Sequence, residues 1–359
     1  MFGLKRDKSF VGLDIGSHAV KAVELGVRTK GKRNVYHVVR VGYEPLPHDA
    51  IVEGTIIDGS AVAESIRALC DKAKIANKDV VISISGNSVI IKKISLPSMG
   101  TEELAESVIW EAKHNIPYPY EETHVDYAIL SPASGSGTQN LEILLVACKK
   151  DKIAAYSNVI HQARKNLAAV EVDAFALFNI LEVNYPEEFT GQTLALINMG
   201  AAITTIVICE KGVPQLFRDI PVGGSFFTEN IRKDLNIGHD EAEALLRGGT
   251  SPSVQPFEYE AVLGLNVKGL LEEIEKTFVF FEAEDKSHKK IEHIFISGGL
   301  SNIKNVSGSF EQKFGVKTTL FDPFRTVQYN EKKLDPVYYQ EMAPFFAVAA
   351  GLATRKREK

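Results

Sequence analysis

The chain has 359 residues, which exceeds one typical core and fits two lobes. With 45% hydrophobic and 24% charged residues it has the composition of an ordinary globular protein, and its net charge of −5 argues against general attraction to nucleic acid or anionic lipid. Cys70, Cys148 and Cys209 all lie inside apolar runs and suit reduced core thiols, and neither they nor the nine histidines show paired metal-ligand spacing.

The N-terminal MFGLKRDK is not followed by the apolar run of a signal peptide, so none is expected. Two apolar runs, Val11 to Leu13 and Val20 to Leu25, flank Asp14-Ile15-Gly16-Ser17-His18 and predict a β-hairpin. The turn concentrates chemistry. Gly16 lets turn amides point at an anion, Ser17 adds a hydroxyl, and Lys21 adds a cation. Asp14 could hold Mg²⁺ through water. Together they suit the phosphates of a nucleotide, whereas an edge hairpin with a solvated lysine is the plain alternative. His18 is expected to contribute mainly its backbone.

Val35 to Val41 reads as a third strand, Pro45 and Pro47 open an exposed connection, and Ile51 to Asp58 returns to apolar alternation. A helix follows from about Ser60, with Ile66, Leu69, Cys70 and Ala73 on one side. Val80 to Ser85 and Ser88 to Leu96 predict a hairpin across Gly86-Asn87. Thr101 is expected to cap a helix that runs to about Asn115 and carries Trp110, until Pro117 and Pro119 stop it. Asp126 to Leu130 and Leu141 to Cys148 read as strands around the loop SPASGSGTQN, and Asp151 as the cap of a helix through Lys165. Ala168 to Val172 leads into Asp173 and a helix to Val183, where an ordinary helix cap is the plain reading of Asp173.

From Gly191 the first layout recurs, with Asn198-Met199-Gly200-Ala201 in the turn and Thr204 after it. Asp14 and Asn198 lie 198 − 14 = 184 residues apart, and Gly16/Gly200 and Lys21/Thr205 share that offset. A half-chain repeat of a phosphate-type hairpin suggests two duplicated lobes with a nucleotide between them. Phe189 to Cys209 is uncharged and long enough to span a bilayer, but Gly191, Gln192, Asn198 and Gly200 favour a buried hairpin. Val213 to Ile220 is a further strand, and Gly223-Gly224 precedes a helix near Phe226 to Leu235. Asp240 to Leu246 is a helix bearing Glu243, and after the loop Gly248 to Pro256 a long helix ends near Glu284. DKSHKK reads as a charged turn. Ile291 to Ser297 is a strand ending at Gly298-Gly299, where bare backbone lets a base or ribose lie close, with Ser301 just beyond. A helix and strand reach Phe321, the next stretch looks irregular, and Met342 to Ala353 is an apolar helix.

These blocks resemble the actin-like ATPase superfamily. Within it the chain, from about Ser9 to Thr354, resembles the PilM family of type IV pilus assembly proteins, relatives of the division protein FtsA. The resemblance is carried by DIG at Asp14, SGNSVIIKKISLP from Ser85, WEAKHNIPY from Trp110, LLVACKKD from Leu144, VDAFAL from Val172, GGSFFTENIRKDL from Gly223, EAEALL from Glu241 and SGGLSNI from Ser297. It implies an α/β, two-lobed actin-like fold (a duplicated ribonuclease H-like fold) with an α+β subdomain inserted in the first lobe. The lobes would be 1–185, with the insert at about 84–165, and 186–359, with the helix 342–353 packing back at the lobe interface. The implied cofactors are ATP and Mg²⁺. Asp173 would orient the attacking water and Glu243 would receive the ribose hydroxyls. Asp14, Gly16, Ser17, His18, Lys21, Asn198, Gly200, Ala201, Thr204, Gly224, Gly298, Gly299 and Ser301 would complete the site.

Actin-like ATPases usually carry Asp where this chain has Asn198, which supplies no negative charge for Mg²⁺, so slow or absent turnover is expected. The resemblance further implies a cytoplasmic scaffold at the inner-membrane face, gripping the N-terminal cytoplasmic tail of PilN in a groove between insert and first lobe. Pilus motor ATPases, the platform protein and a second copy of the chain are candidate further partners. The tail ATRKREK lacks an amphipathic membrane helix, so membrane association would come through partners. Two other functions stay open: an FtsA-like filament protein, and a small-molecule kinase using Asp173.

Overall fold

The computed structural model describes residues 10–30, 33–132, 140–284, 290–329 and 340–356. The chain opens with an antiparallel meander of β1 (Val11–Ile15), β2 (Ala19–Lys30) and β3 (Arg33–Pro45). A small ribbon, β4 (Ile51–Val52) and β5 (Thr55–Ile56), leads to α1 (Gly59–Lys72). The Asp58 carboxylate caps α1 by accepting from Ala61 N at 3.0 Å. Next, β6 (Asp79–Ile84) lies parallel to β1, and the later β10 (Asn166–Val172) lies parallel to β6. The first sheet is therefore ordered β10-β6-β1-β2-β3.

The second half repeats this plan. β11 (Thr193–Met199), β12 (Thr204–Glu210) and β13 (Val213–Ile220) form the meander. β14 (His293–Ser297) and β15 (Thr318–Leu320) add the parallel strands, giving the order β13-β12-β11-β14-β15. Every position of β1 and β14 is buried, as expected of strands covered on both faces by helices.

Between β6 and β10 the chain leaves the first sheet. β7 (Val89–Pro97), β8 (Thr123–Pro132) and β9 (Asn140–Lys149) form a separate sheet ordered β7-β9-β8. Leu104, Val108 and Ala112 of α2 (Thr101–Asn115) pack on one face of it, against Ile143, Leu145 and Ala147. The hairpin expected across Gly86-Asn87 is thus absent. β6 is a fully buried strand of the first sheet, and β7 is an edge of the inserted one. Local turn chemistry is outweighed by the burial that β6 finds between β1 and β10. The two expected helix caps also differ. Thr101 and Asp151 lie inside the first turns of their helices, with Gly100 and Lys149 at the cap positions.

α3 (Lys150–Gln162) returns to pack with α1 on one side of the first sheet, through Tyr156, Val159 and Ile160. α4 (Asp173–Asn184) and α5 (Pro186–Gly191) then carry the chain to the second sheet. That sheet is backed by α6 (Gly224–Asp234), α8 (Pro256–Glu284) and α9 (Val306–Phe314), with α7 (His239–Leu246) packed on α6. A 3₁₀ turn at Ala343–Phe346 leads into α10 (Ala347–Ala353).

One apolar cluster spans both sheets. It joins Val23, Leu25 and Val81 of the first to Leu194, Leu196, Val207 and Phe295 of the second, through α4 and α10. α10 lies hard against β1 and α4. A Cβ on Gly12 would come 2.0 Å from Ala349 O, and one on Gly351 would come 2.0 Å from Ala176 O. Only glycine fits at either contact.

Among the described residues no helix is long and apolar enough to cross a membrane, and the uncharged 189–209 stretch is mostly the β11–β12 hairpin. Most of the SPASGSGTQN loop, the DKSHKK turn apart from its last lysine, and residues 330–339 of the irregular stretch lie outside the described residues.

Candidate functional site

The 184-residue repeat is visible atom by atom. In the first turn Gly16 N donates to Ala19 O at 3.1 Å, and in the second Gly200 N donates to Ile203 O at 2.9 Å. Asp14 stands opposite Lys21 across β1–β2, and Asn198 stands opposite Thr205 across β11–β12. The side chains then diverge. Lys21 Nζ donates to Asp14 Oδ2 at 2.7 Å, a largely buried ion pair beside the Gly16 turn. Thr205 Oγ1 donates the other way, to Asp219 Oδ1 on β13, also at 2.7 Å. Asn198 Oδ1 instead accepts from Ser297 Oγ of β14 at 3.1 Å.

The second turn is braced by the start of α6. Gly224 N donates to Gly200 O at 2.9 Å and Ser225 N donates to Ala201 O at 2.8 Å. The N-terminal end of α6, where helix amides and dipole favour negative charge, is therefore fixed to that turn. Gly298 has φ +84, and a Cβ there would come 2.4 Å from Met199 O, so the strand end can run this close to β11 only without a side chain. Gly299 opens the 3₁₀ turn that follows.

The first turn reaches the second half of the chain. Ser17 and His18 form the tip of the first turn, and His18 Nε2 reaches Glu243 Oε1 on α7 at 3.2 Å. Arg247 NH2 holds the same carboxylate oxygen at 2.5 Å and also touches His18 Nε2. Beside them the rings of His48 and His239 meet edge to face at 4.3 Å. Burial lowers the His18 pKa; Glu243 opposes this, while Arg247 and Lys21 reinforce it. Since α7 packs on α6 and α6 is bonded to the second turn, the His18–Glu243 contact links the first turn to the second through these two helices.

Asp173 lies in the first turn of α4, near Asp14. Val172 takes the cap position, so capping does not account for Asp173. Its pKa is pushed up to about 6, first by burial and then by the neighbouring Asp14 carboxylate, with Asp219 adding to the rise. The hydroxyls of Ser83 and Ser85 pull the other way.

Two expected site residues turn inward. Thr204 is fully buried and its Oγ1 donates to Val222 O at 2.7 Å. Ser301 Oγ donates to Gly298 O at 2.7 Å, inside its own turn. Among the described residues no group of three His, Cys, Asp or Glu side chains is placed to hold a metal ion.

Residues 12–357 match the profile of the type IV pilus assembly protein PilM. The chain belongs to the PilM family. Over 98% of its length it superposes on 99% of a chain in a solved PilM-PilN type IV pilus biogenesis complex, with a TM-score of 0.85 and 26% identity. It is 24% identical over 257 residues to the cell division protein FtsA of Bacillus subtilis, a match covering 66% of this chain and 56% of FtsA. The chain thus spans little more than half of that relative. MreB 5 of Spiroplasma citri, solved bound to AMPPNP, shares the fold at 14% identity and a TM-score of 0.50, over 96% of this chain and 94% of that one.

Three participants in this PilM-family site escape sequence reading. Asp219 lies mid-pattern on an edge strand, while Arg247 and Lys152, whose Nζ donates to Ser85 O at 2.6 Å, sit on helix faces rich in charge. The alternation of Gln215, Phe217 and Asp219 on one side of β13 is the single available signal.

Proposed function

We propose that this PilM-family chain binds ATP in the crevice between its lobes and serves the pilus machine as a scaffold. The N-terminal cytoplasmic tail of PilN would dock against its inserted subdomain at the cytoplasmic face of the inner membrane. The observation that carries this reading is the whole-chain superposition, insert included, on a PilM solved with PilN. The insert supports it further, since β7 and β8 are both sheet edges able to pair with an extended peptide.

The residues present suit a triphosphate. The Lys21 ammonium supplies a cationic donor beside the first glycine turn, and the positive end of the α6 dipole lies against the second. Glu243 Oε1 is held by Arg247 and His18, so a ribose hydroxyl would be received at Oε2. Mg²⁺, when bound, would screen the phosphates. Asp14 is the carboxylate for it, through water, because Lys21 already holds its Oδ2. Neutral Asn198 adds no charge there, which favours retention of ATP over turnover.

Native mass spectrometry of the purified chain tests retained nucleotide, and titration with a PilN tail peptide tests docking. Trp110 is the only tryptophan in the chain and is 59% exposed, so its emission reports a peptide that reaches α2. A chain that neither retains nor binds ATP, or that ignores the peptide, refutes the reading.

A further inference from the structure

The segment from Ser85 to Ser88 carries the chain out of the first lobe into the insert, and one peptide unit in it is gripped at both ends. The Ser85 carbonyl accepts from Lys152 Nζ of α3 at 2.6 Å. The Gly86 N–H, at the opposite end of the same planar unit, donates to Asp219 Oδ2 of β13 at 2.7 Å. A cation of the first lobe and an anion of the second thus hold one amide between them. Both bonds are charge-assisted, the stronger kind. Gly86 itself has φ +80, a conformation that glycine adopts without strain. The insert's other root lies alongside, with Lys149 N donating to Ser88 O at 3.3 Å.

Asp219 belongs to a strip on β13 that faces the first half of the chain. Gln215 Oε1 accepts from Lys93 Nζ of β7 at 2.9 Å. Phe217 meets Phe175 and Phe178 of α4 edge to face, at 5.1 and 6.3 Å. In the other direction, the second oxygen of Asp219 accepts from Thr205, which stands opposite Asn198 at the second glycine turn. A row of cross-strand neighbours, Asn198, Thr205 and Asp219, therefore runs from beside that turn to the root of the insert.

We propose that Asp219 is a positioning residue. Through the clamped Ser85–Gly86 amide it sets the orientation of the insert according to the state of the second glycine turn. The inference rests on the reading that ATP binds between the lobes and a PilN peptide binds the insert. ATP at the Gly200 turn favours one placement of Thr205 and Asp219, and the amide clamp transmits that preference to the docking surface. Coupling of this kind requires that the clamped and released states differ in affinity for each ligand.

The clamp is tested without any ligand, by amide hydrogen exchange over residues 85–89 in the wild type, Asp219→Ala, Asp219→Asn and Thr205→Val. Loss of a charge-assisted bond should speed Gly86 exchange roughly tenfold or more in Asp219→Ala. Thr205→Val leaves the Gly86 bond in place and should exchange near the wild-type rate. Coupling is tested by the Kd of a fluorescent PilN tail peptide with and without ATP. ATP should shift the wild-type Kd by roughly fivefold or more, and the shift should vanish in Asp219→Ala and Thr205→Val. Should Asp219→Ala fail to fold, Asp219→Asn, which loses the charge of the bond, carries the exchange measurement and Thr205→Val carries the coupling.

Unchanged Gly86 exchange on loss of the Asp219 carboxylate overturns the clamp whatever the ligands do. A wild type that binds both ligands without coupling, or variants that keep its coupling, overturn the role given to Asp219. A wild type that binds neither ligand fails the parent reading and the coupling with it, while the exchange data still decide the clamp.

Discussion

Replacing Lys21 with Ala tests the first glycine turn directly. Its ammonium pairs with Asp14 at 2.7 Å, with both side chains largely shielded from water, beside a turn whose amides would face phosphate. A charged hydrogen bond contributes roughly 1.5–3 kcal/mol, so losing it should weaken ATP binding about ten- to a hundredfold. The apo protein should also lose stability, because Asp14 is left without its cation, so the informative quantity is the increment that ATP adds. At an ATP concentration of about 100 wild-type Kd, the wild type gains roughly 2.7 kcal/mol, whereas a variant about thirtyfold weaker gains roughly 0.9 kcal/mol. With an unfolding entropy of about 2.1 cal/mol/K per residue over 359 residues, these become melting shifts of roughly 3.5 °C and 1 °C. Thermal scans with and without ATP, backed by calorimetric Kd values, read both. A folded Lys21→Ala protein with wild-type affinity and a full ATP shift would show that this turn does not hold phosphate.

Gly351→Ala should cost at least about 2 kcal/mol in urea unfolding, because its Cβ would meet Ala176 O at 2.0 Å. Gly264→Ala on the exposed side of α8, where a Cβ meets nothing, should instead stabilise by up to about 1 kcal/mol; equal effects would refute the packing described for α10. For Asp173, burial and the Asp14 carboxylate raise the native pKa to about 6 from 3.8, so between about pH 4 and 6 the native state holds a proton that the unfolded chain has released. This group therefore makes the fold less stable as pH rises through that window and changes nothing further above it. Asp173→Asn should remove that slope and raise the unfolding free energy near pH 7.5 by up to about 3 kcal/mol, and an unaltered pH profile would contradict the placement. Asn198→Asp keeps an acceptor for Ser297 Oγ and supplies the missing charge; it should increase ATPase turnover several-fold, and an unchanged rate would mean that charge is not limiting.

The duplicated architecture was legible because the repeat lies in the backbone as much as in the side chains. Gly16 and Gly200, 184 residues apart, close their turns on Ala19 and Ile203, which are also 184 apart. The inserted sheet was legible as strands, but its pairing was not. Gly86-Asn87 carries a strong local hairpin signal, while the partners that claim β6 come from β1 and β10, far away in the chain. The direction of a hydroxyl is equally invisible to spacing. Thr204 and Ser301 follow their glycine turns as expected yet spend their hydroxyls on the carbonyls of Val222 and Gly298, because a buried hydroxyl needs a partner. Asp219 escaped for the same kind of reason, since its partner Gly86 lies 133 residues away and offers only a backbone amide.

The wedge of α10 between β1 and α4 bears on how the molecule is made. Ala349, whose carbonyl faces Gly12, is translated 349 − 12 = 337 residues after it, so the first strand leaves the ribosome long before the helix that will cover it. At about 5–20 residues per second this interval lasts on the order of tens of seconds, during which an apolar sheet face stays open to water and to chaperones. Completion of the first sheet thus waits on residues synthesised long after its own first strand.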